Sequence, residues 1–233
     1  MTLVSAIIPT RNGGAYLAHT LDQLAELDLA GGLEIIVVEN GSADSTWEQL
    51  QQLKARWNSK VLLKITQSKA GLGNAYLKGV KLSQGDLVYL TADDLPFGTE
   101  DLTTAIEWAK EAHIIIGSKA HKASKIDRGL LRGALSQSFR LTRAAILGSA
   151  VGDSQGTFIV MGSWIREFAT RSHEEGFLWT TELVDSAEQG GLVIVEIPIT
   201  FYPRESPTGS RVKISDVVNM LTGTFRIRSR RAN

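Results

Sequence analysis

Gly85-Asp86-Leu87-Val88-Tyr89-Leu90-Thr91-Ala92-Asp93-Asp94-Leu95-Pro96-Phe97-Gly98 is the stretch from which the fold is read. Leu87 to Thr91 are apolar or β-branched without a break, the pattern of a strand buried on both faces. Asp93 and Asp94 follow, and Pro96 and Gly98 end the run. In an open parallel sheet, ligands bind beyond the carboxyl ends of the strands. Paired carboxylates at such an end suit Mg²⁺ or Mn²⁺, which takes one or two protein carboxylates and fills its shell with phosphate oxygens and water. Taken alone, the pair reads equally as a solvated acidic turn, since Asp is common in turns.

On the amino-terminal side the same grammar recurs. Val4–Ile8 is a short apolar run closed by Pro9, and Leu17, Leu21 and Leu24 follow the Thr10–Gly14 loop at helical spacing. Leu33–Val38 is a second strand ending in Glu39-Asn40-Gly41-Ser42, with Asp44 or Ser45 placed to cap a helix carrying Trp47, Leu50 and Trp57. Val61–Ile65 is a third strand, and the glycine-flanked Gly71–Gly79 opens a helix reaching about Ser83. Beyond the quoted stretch, Thr99–Glu111 reads as a helix and His113–Gly117 as a strand. Strand and helix alternating in this way predict an α/β fold, a parallel sheet covered on both faces.

The remainder is less regular. Ser118–Asp127, polar and rich in Lys and His, reads as a mobile loop, and residues 129–148 as a long helix with Leu131, Leu135, Phe139 and Ala145 or Ile146 on one face. Phe158–Met161 and Leu192–Phe201 are strands; Phe168 and Thr180–Gln189 lie on helices. Ile214–Phe225 is apolar on one side (Val217, Val218, Leu221, Phe225) and leads into Arg226, Arg228, Arg230 and Arg231. The reading is one domain: 1–118 nucleotide-binding, 119–212 acceptor-side, and 213–233 an amphipathic basic tail.

Composition agrees with an ordinary globular chain: 233 residues, 43% hydrophobic and 21% charged. Net charge is zero, but residues 1–118 carry 9 Lys+Arg against 14 Asp+Glu, and residues 119–233 carry 16 against 11, so the parts stand at −5 and +5. With no cysteine, disulfides and thiolate metal sites are excluded, and a cytoplasmic location is expected. There is no basic n-region at the start and no run of 18 apolar residues. The four histidines lack ligand spacing, and neither a Gly-x-Ser-x-Gly elbow nor a Walker loop is present. Zero net charge without interleaved aromatics argues against nucleic acid.

Several segments, in order, resemble the family-two inverting glycosyltransferases of the GT-A fold, and more narrowly the polyprenyl-phosphate (dolichyl-phosphate) mannose synthase group. They are Ser5–Asn12, Ile35–Thr46, Gly71–Tyr76, Ala92–Leu95, Ile116–Lys119, Asp153–Gln155, Thr181–Leu183 and Glu196–Phe201. The chain departs from the pattern where the family's Asp-x-Asp-Leu begins with Ala92, so that either Asp93 takes over the first role or Asp94 holds the metal nearly alone. Where the family ends its second strand in two Asp, Glu39-Asn40 stands here. Many of these synthases carry C-terminal membrane helices, and this sequence has none.

The resemblance implies a nucleotide sugar as donor, GDP-mannose or UDP-glucose. Pro9, Arg11 and Asn12 would lie over the base, Glu39 and Asn40 would meet ribose or base, and Gly71, Gly73 and Asn74 would let backbone approach the ligand, with Lys69 near a phosphate. Asp93 and Asp94 would hold the metal on the diphosphate. Asp153 and Gln155 would hold sugar hydroxyls, while Arg132, which shares a helix face with Ser136, and Arg204 would clamp phosphate oxygens. Each residue also has a plainer reading, as a turn former, a solvated carboxylate or a surface arginine.

A hydroxyl acceptor needs a general base, whereas a lipid phosphate is already anionic and needs cations to dock it. Lys119–Arg132, Arg204, Arg211 and Lys213 supply them, which favours a polyprenyl phosphate acceptor. Transfer to a hydroxyl and a non-catalytic nucleotide-sugar binder are the competing readings. For the tail, contact with an anionic membrane surface or a membrane-protein partner stands level with packing on the core.

Overall fold

A computed structural model describes residues 2–126, 130–202 and 214–231, with backbone alone for 130–135, 214–218 and 221. The elements in chain order are β1 (Val4–Thr10), α1 (Gly14–Ala25), β2 (Leu33–Glu39), α2 (Thr46–Arg56), β3 (Leu62–Gln67), α3 (Leu72–Leu82), β4 (Leu87–Leu90) and α4 (Glu100–Trp108). They continue with β5 (Ile114–Ser118), α5 (Leu130–Leu147), β6 (Thr157–Met161), α6 (Gly162–Arg171), α7 (Trp179–Gln189), β7 (Ile194–Pro198) and α8 (Ile214–Arg230).

The strands form one sheet in the order β3-β2-β1-β4-β6-β5-β7. Strand β6 runs antiparallel to both β4 and β5, while the other pairs are parallel. The mostly parallel sheet follows the expectation, and the reversal of β6 was not in it. Strand β1 also runs on past Pro9 to Thr10, although proline cannot donate to a ladder. Its pairing with β4 ends at Ile7, so the missing N–H falls where no ladder bond is needed.

Alternate residues of each strand feed opposite cores. Ala6, Ile8, Ile35, Val37 and Tyr89 pack with Leu17, Leu21 and Leu24 of α1, Leu50 of α2 and Leu102 of α4. Ile7, Ile36, Val38, Val88 and Leu90 pack with Tyr76 of α3, Phe168 of α6, and Trp179 and Leu183 of α7. A third cluster joins Leu147 of α5, Leu178 and Ile227 of α8, with Phe139, Ile146 and Met220 against it.

Two expectations change here. Residues 118–126 are tied down rather than loose: Ser124 Oγ donates to Ser118 O at 2.6 Å, and Lys125 N donates to Ile199 O at 2.9 Å. The polar side chains that suggested mobility are the ones that bind backbone. On α8, Phe225 lies 63% exposed, while Thr224 and Ile227 are buried, so the packed stripe falls on the neighbouring face. At Gly223 a Cβ would meet Leu178 Cδ1 at 2.1 Å, so that face packs too closely for a side chain. The side chains of Leu131, Leu135, Val217, Val218 and Leu221 lie outside the described residues.

Beneath the sheet's carboxyl edge, Asp101 of α4 is 3% exposed and accepts from Tyr89 Oη at 3.0 Å, from Leu102 N at 2.8 Å and from Thr157 Oγ1. Burial raises its pKa from 3.8 to about 6, against the lowering effect of those donors. A carboxyl raised on folding stabilises the fold below its unfolded value, and that stability is lost as pH rises through the folded value. Between pH 4 and 7 the wild type should therefore lose about 2 kcal/mol relative to Asp101→Asn. Urea unfolding of both proteins across that range checks it; parallel curves would contradict the assignment.

Candidate functional site

The carboxyl ends of β1, β2, β3, β4 and β5 lie along one edge, and β6 enters from that edge because it runs the other way. Gly117 faces Thr157 and Leu90 faces Phe158, so residues 153–157 stand beside the turn after β4.

In that turn the two carboxylates separate. Asp93 is 2% exposed; its Oδ2 accepts from Thr10 Oγ1 at 2.7 Å, and its carbonyl accepts from Thr20 Oγ1 at 2.7 Å. A Cβ on Gly13 would come within 1.9 Å of that Oδ2, so the loop closes over Asp93 only with glycine there. Asp94 is half-buried. Leu95 adopts φ 38 with its side chain 1% exposed, a left-handed turn that a branched residue takes only under constraint. Tyr76 Oη donates to Thr91 O at 3.2 Å, and burial together with the Asp93 charge pushes its phenol above the ordinary tyrosine value.

The loops after β1 and β2 are stitched together. Asn12, at φ 53, donates its N–H to Ser42 Oγ at 3.0 Å and accepts from Ala43 N at 2.9 Å. Glu39 accepts from Ser42 N at 2.5 Å and from Gln67 Nε2 at 2.9 Å. Burial alone would raise its pKa, but these donors hold it below the usual carboxylate value. Both Glu39 oxygens thus already serve the protein, shaping the turn in which Asn40 sits. Asn40 is 6% exposed, and its Oδ1 has no partner among the described residues. Pro9 lies in β1 opposite Val38, and Arg11 is exposed at the rim.

The glycine loop packs closely on another part of the protein. A Cβ at Gly71 (φ 129) would meet Glu175 O at 2.3 Å, and one at Gly73 would meet Glu174 O at 2.5 Å. Asn74 N donates to Glu175 O at 3.1 Å. The close approach these glycines allow is to the 174–175 backbone, with Lys69 exposed beside it.

On the other side, Asp153 is 8% exposed and accepts from Lys119 N at 2.9 Å and Gln155 N at 2.8 Å, with Lys119 Nζ at 3.0 Å. Burial opposes ionisation of Asp153, yet Lys119 holds its pKa below the usual value. Lys119 Nζ also donates to Gln155 O and lies 5.8 Å from the Phe97 ring centroid, joining this cluster to the turn after Asp94. Gln155 Nε2 donates to Phe177 O and Thr180 Oγ1, both at 2.9 Å. Ser136 is exposed; the Arg132 side chain, Arg204, Arg211 and Lys213 lie outside the described residues.

The tail arginines have partners on the protein. Glu174, 5% exposed, accepts from Arg226 Nη2 at 2.6 Å and Arg230 Nη1 at 2.8 Å, and Arg231 pairs with Asp185. Glu182 accepts from the N–H groups of His173 and Glu174. Thr10, Glu174 and Glu196 were not singled out from the sequence. Only Glu196 carried a signal, as a lone charge inside an apolar strand.

No group of three or more His, Cys, Asp or Glu among the described residues could hold a metal unaided. The donor set nevertheless fits a hard cation shared with a phosphate ligand: the half-buried carboxylate of Asp94 follows the buried one of Asp93.

A mostly parallel sheet covered on both faces, with its loops gathered at the carboxyl ends of the strands, defines a Rossmann-like α/β fold. The model of glycosyl transferase family 2 matches residues 5–167, and the chain belongs to that family. It is 34% identical over 125 residues to dolichol-phosphate mannosyltransferase of Pyrococcus furiosus, a match covering 53% of this chain and 35% of that protein. It is 35% identical over 118 residues to an undecaprenyl-phosphate 4-deoxy-4-formamido-L-arabinose transferase of Pseudomonas aeruginosa, covering 50% and 35%. The chain thus spans about a third of the length of these relatives. Glucosyl-3-phosphoglycerate synthase of Mycobacterium tuberculosis, crystallised with UDP, shares the fold at TM-score 0.67 and 16% identity over 97% of this chain and 80% of that one. Its complex with Mn²⁺, UDP and glucosyl-3-phosphoglycerate also superposes at 0.67, with 17% identity and the same coverage.

The division between the carboxylates is testable by stability. Thr10→Val, close in shape, removes a donor from buried Asp93 and should cost about 1.5–3 kcal/mol. Asp94→Asn should stay within about 0.5 kcal/mol of wild type. Equal losses in urea unfolding would show that both carboxylates are structural.

Proposed function

We propose that this protein is an inverting glycosyltransferase that moves a hexose from a nucleoside diphosphate sugar to a polyprenyl phosphate. The observation that carries the reading is the turn after β4, where Thr10 and Gly13 enclose Asp93 and leave Asp94 accessible. Asn40, buried in the turn after β2, stands at the same edge with its Oδ1 unpartnered by protein. The P. furiosus relative is named for a mannosyl transfer to dolichol phosphate, and the M. tuberculosis structures hold UDP with Mn²⁺ or Mg²⁺. These support a nucleotide-sugar donor, a lipid phosphate acceptor and a divalent cation.

In this account Asp94 holds Mg²⁺ or Mn²⁺ together with the donor's phosphates, and the ion supplies Lewis-acid stabilisation of the leaving diphosphate. Asp93 carries no metal; it fixes the turn. A phosphate oxygen of the acceptor forms a bond to the anomeric carbon as the bond to the diphosphate oxygen breaks, and that oxygen leaves with the electron pair. One displacement inverts the centre. The acceptor is already an anion, so no side chain has to remove a proton. Lys119 stands at the edge, and Arg132 and Arg204 are assigned to the acceptor phosphate by resemblance. The tail packs on the core, since three of its arginines bind Glu174, Glu182 and Asp185. No helix among the described residues is long and apolar enough to cross a membrane. Contact with a membrane surface would fall to Phe225 and Arg228, which are exposed.

GDP-mannose and UDP-glucose are screened by melting with and without Mn²⁺. At a hundredfold excess over Kd the true donor should raise Tm by roughly 5–10 °C. Wild type should then glycosylate a short polyprenyl phosphate and not the matching alcohol, and chelation or Asp94→Asn should lower turnover at least about a hundredfold. Transfer to the alcohol would favour a hydroxyl acceptor. Donor binding with no turnover would leave a binding protein.

A further inference from the structure

Charged residues that play no part in the transfer as described collect behind one loop, residues 150–153. Glu188 of α7 accepts from Ala150 N at 2.9 Å. Arg143 of α5, 1% exposed, donates Nη2 to Val151 O. Glu196 of β7 accepts from Gly152 N at 2.7 Å and Asp153 N at 3.0 Å. Three charged side chains from three elements thus grip four consecutive backbone positions. Little else does so from that side, where a hollow of about 290 Å³ is lined by Ala150, Val151, Glu188, Leu192, Ile194 and Glu196.

Burial works against the Arg143 charge, while the Glu188, Asp153 and Glu196 charges around it favour it. Arg143 Nε and Nη1 and Glu188 Oε2 are buried without a partner. A buried charge left partly unsatisfied costs stability, and an apolar residue of the same volume would serve a core better. What the three residues do supply is position. Their grip ends at Asp153, whose carboxylate holds Lys119 at 3.0 Å, and Lys119 reaches the Phe97 ring in the turn that presents Asp94.

We propose that Arg143, Glu188 and Glu196 are positioning residues that set Asp153, and through it Lys119, at the acceptor side of the transfer site. The role in transfer rests on the function proposed above; the effect on Lys119 does not. A shift of about 1 Å in a positioned group can cost on the order of a hundredfold in rate. Nucleotide binding, which falls to the ends of β1, β2 and β4, should be left alone.

The experiment uses the full chain carrying Glu196→Gln, Glu188→Gln, Asp153→Asn, or Glu196→Gln with Asp153→Asn. Three quantities are read: nucleoside diphosphate affinity with Mn²⁺, turnover, and the rate of Lys119 acylation followed by mass spectrometry. In the wild type the Lys119 side chain is 13% exposed and should react slowly. Glu196→Gln is expected to lower turnover about tenfold or more with affinity within twofold, and to speed Lys119 acylation at least threefold. The double variant should be no worse than Asp153→Asn, since residues acting through one another are non-additive. Turnover within twofold of wild type, a matching loss of nucleotide affinity, or additive losses would each overturn the proposal. If wild type turns over no donor, the transferase reading fails and acylation decides: faster labelling in Glu196→Gln or Glu188→Gln upholds the positioning role, and unchanged labelling in both removes it.

Discussion

A carboxylate buried beneath a glycine governs the geometry of this protein's edge. Asp93 can be enclosed only because Thr10 donates to it and Gly13 has no side chain to collide with it. Strands β1 and β4 must therefore end side by side, which the parallel register Val4 to Leu87 and Ile7 to Leu90 achieves. The left-handed turn at Leu95 belongs to the same closure, with a buried side chain on each side of Asp94. A strained backbone in such a turn is held by the packing around it.

The rest of the edge is built by side chains binding the backbone of neighbouring loops. Asn12 braces the loop after β2, Glu39 shapes its own turn and reaches β3, and Glu182 holds the loop that the glycines at 71 and 73 abut. A site assembled in this way loses little conformational freedom when a ligand arrives. Most polar groups here are already spoken for, and Asn40 Oδ1 stands out as one that no described residue meets. Unpaired buried polar atoms are costly unless a ligand or solvent meets them.

Charge shows how a correct pattern can mislead. The excess of basic residues after residue 118 suggested cations waiting for an anionic acceptor or membrane. Arg226, Arg230 and Arg231 instead meet Glu174, Glu182 and Asp185, and Lys119 meets Asp153. Those carboxylates come from residues 153–185, so the pairing is internal to the second part of the chain. Lone arginines on a helix cannot announce partners about fifty residues away in sequence, such as Glu174 for Arg226. On α8 the one described residue of the apolar side, Phe225, is exposed, while Gly223 packs on Leu178.

What the sequence determined by itself was local or ordered. Apolar runs and helical spacing gave the succession of elements, because periodicity is a property of neighbouring residues. The ordered motifs gave the family, and the acidic pair after Leu90 marked the carboxyl end of a buried strand. Tertiary structure alone decided the strand order and the reversal of β6, which of two adjacent aspartates is buried, and what the glycine loop abuts. Those outcomes rest on contacts such as Thr10 to Asp93, 83 residues apart, or Gly73 to Glu174. Packing between distant segments selects one partner for each group, and spacing along the chain carries no record of that choice.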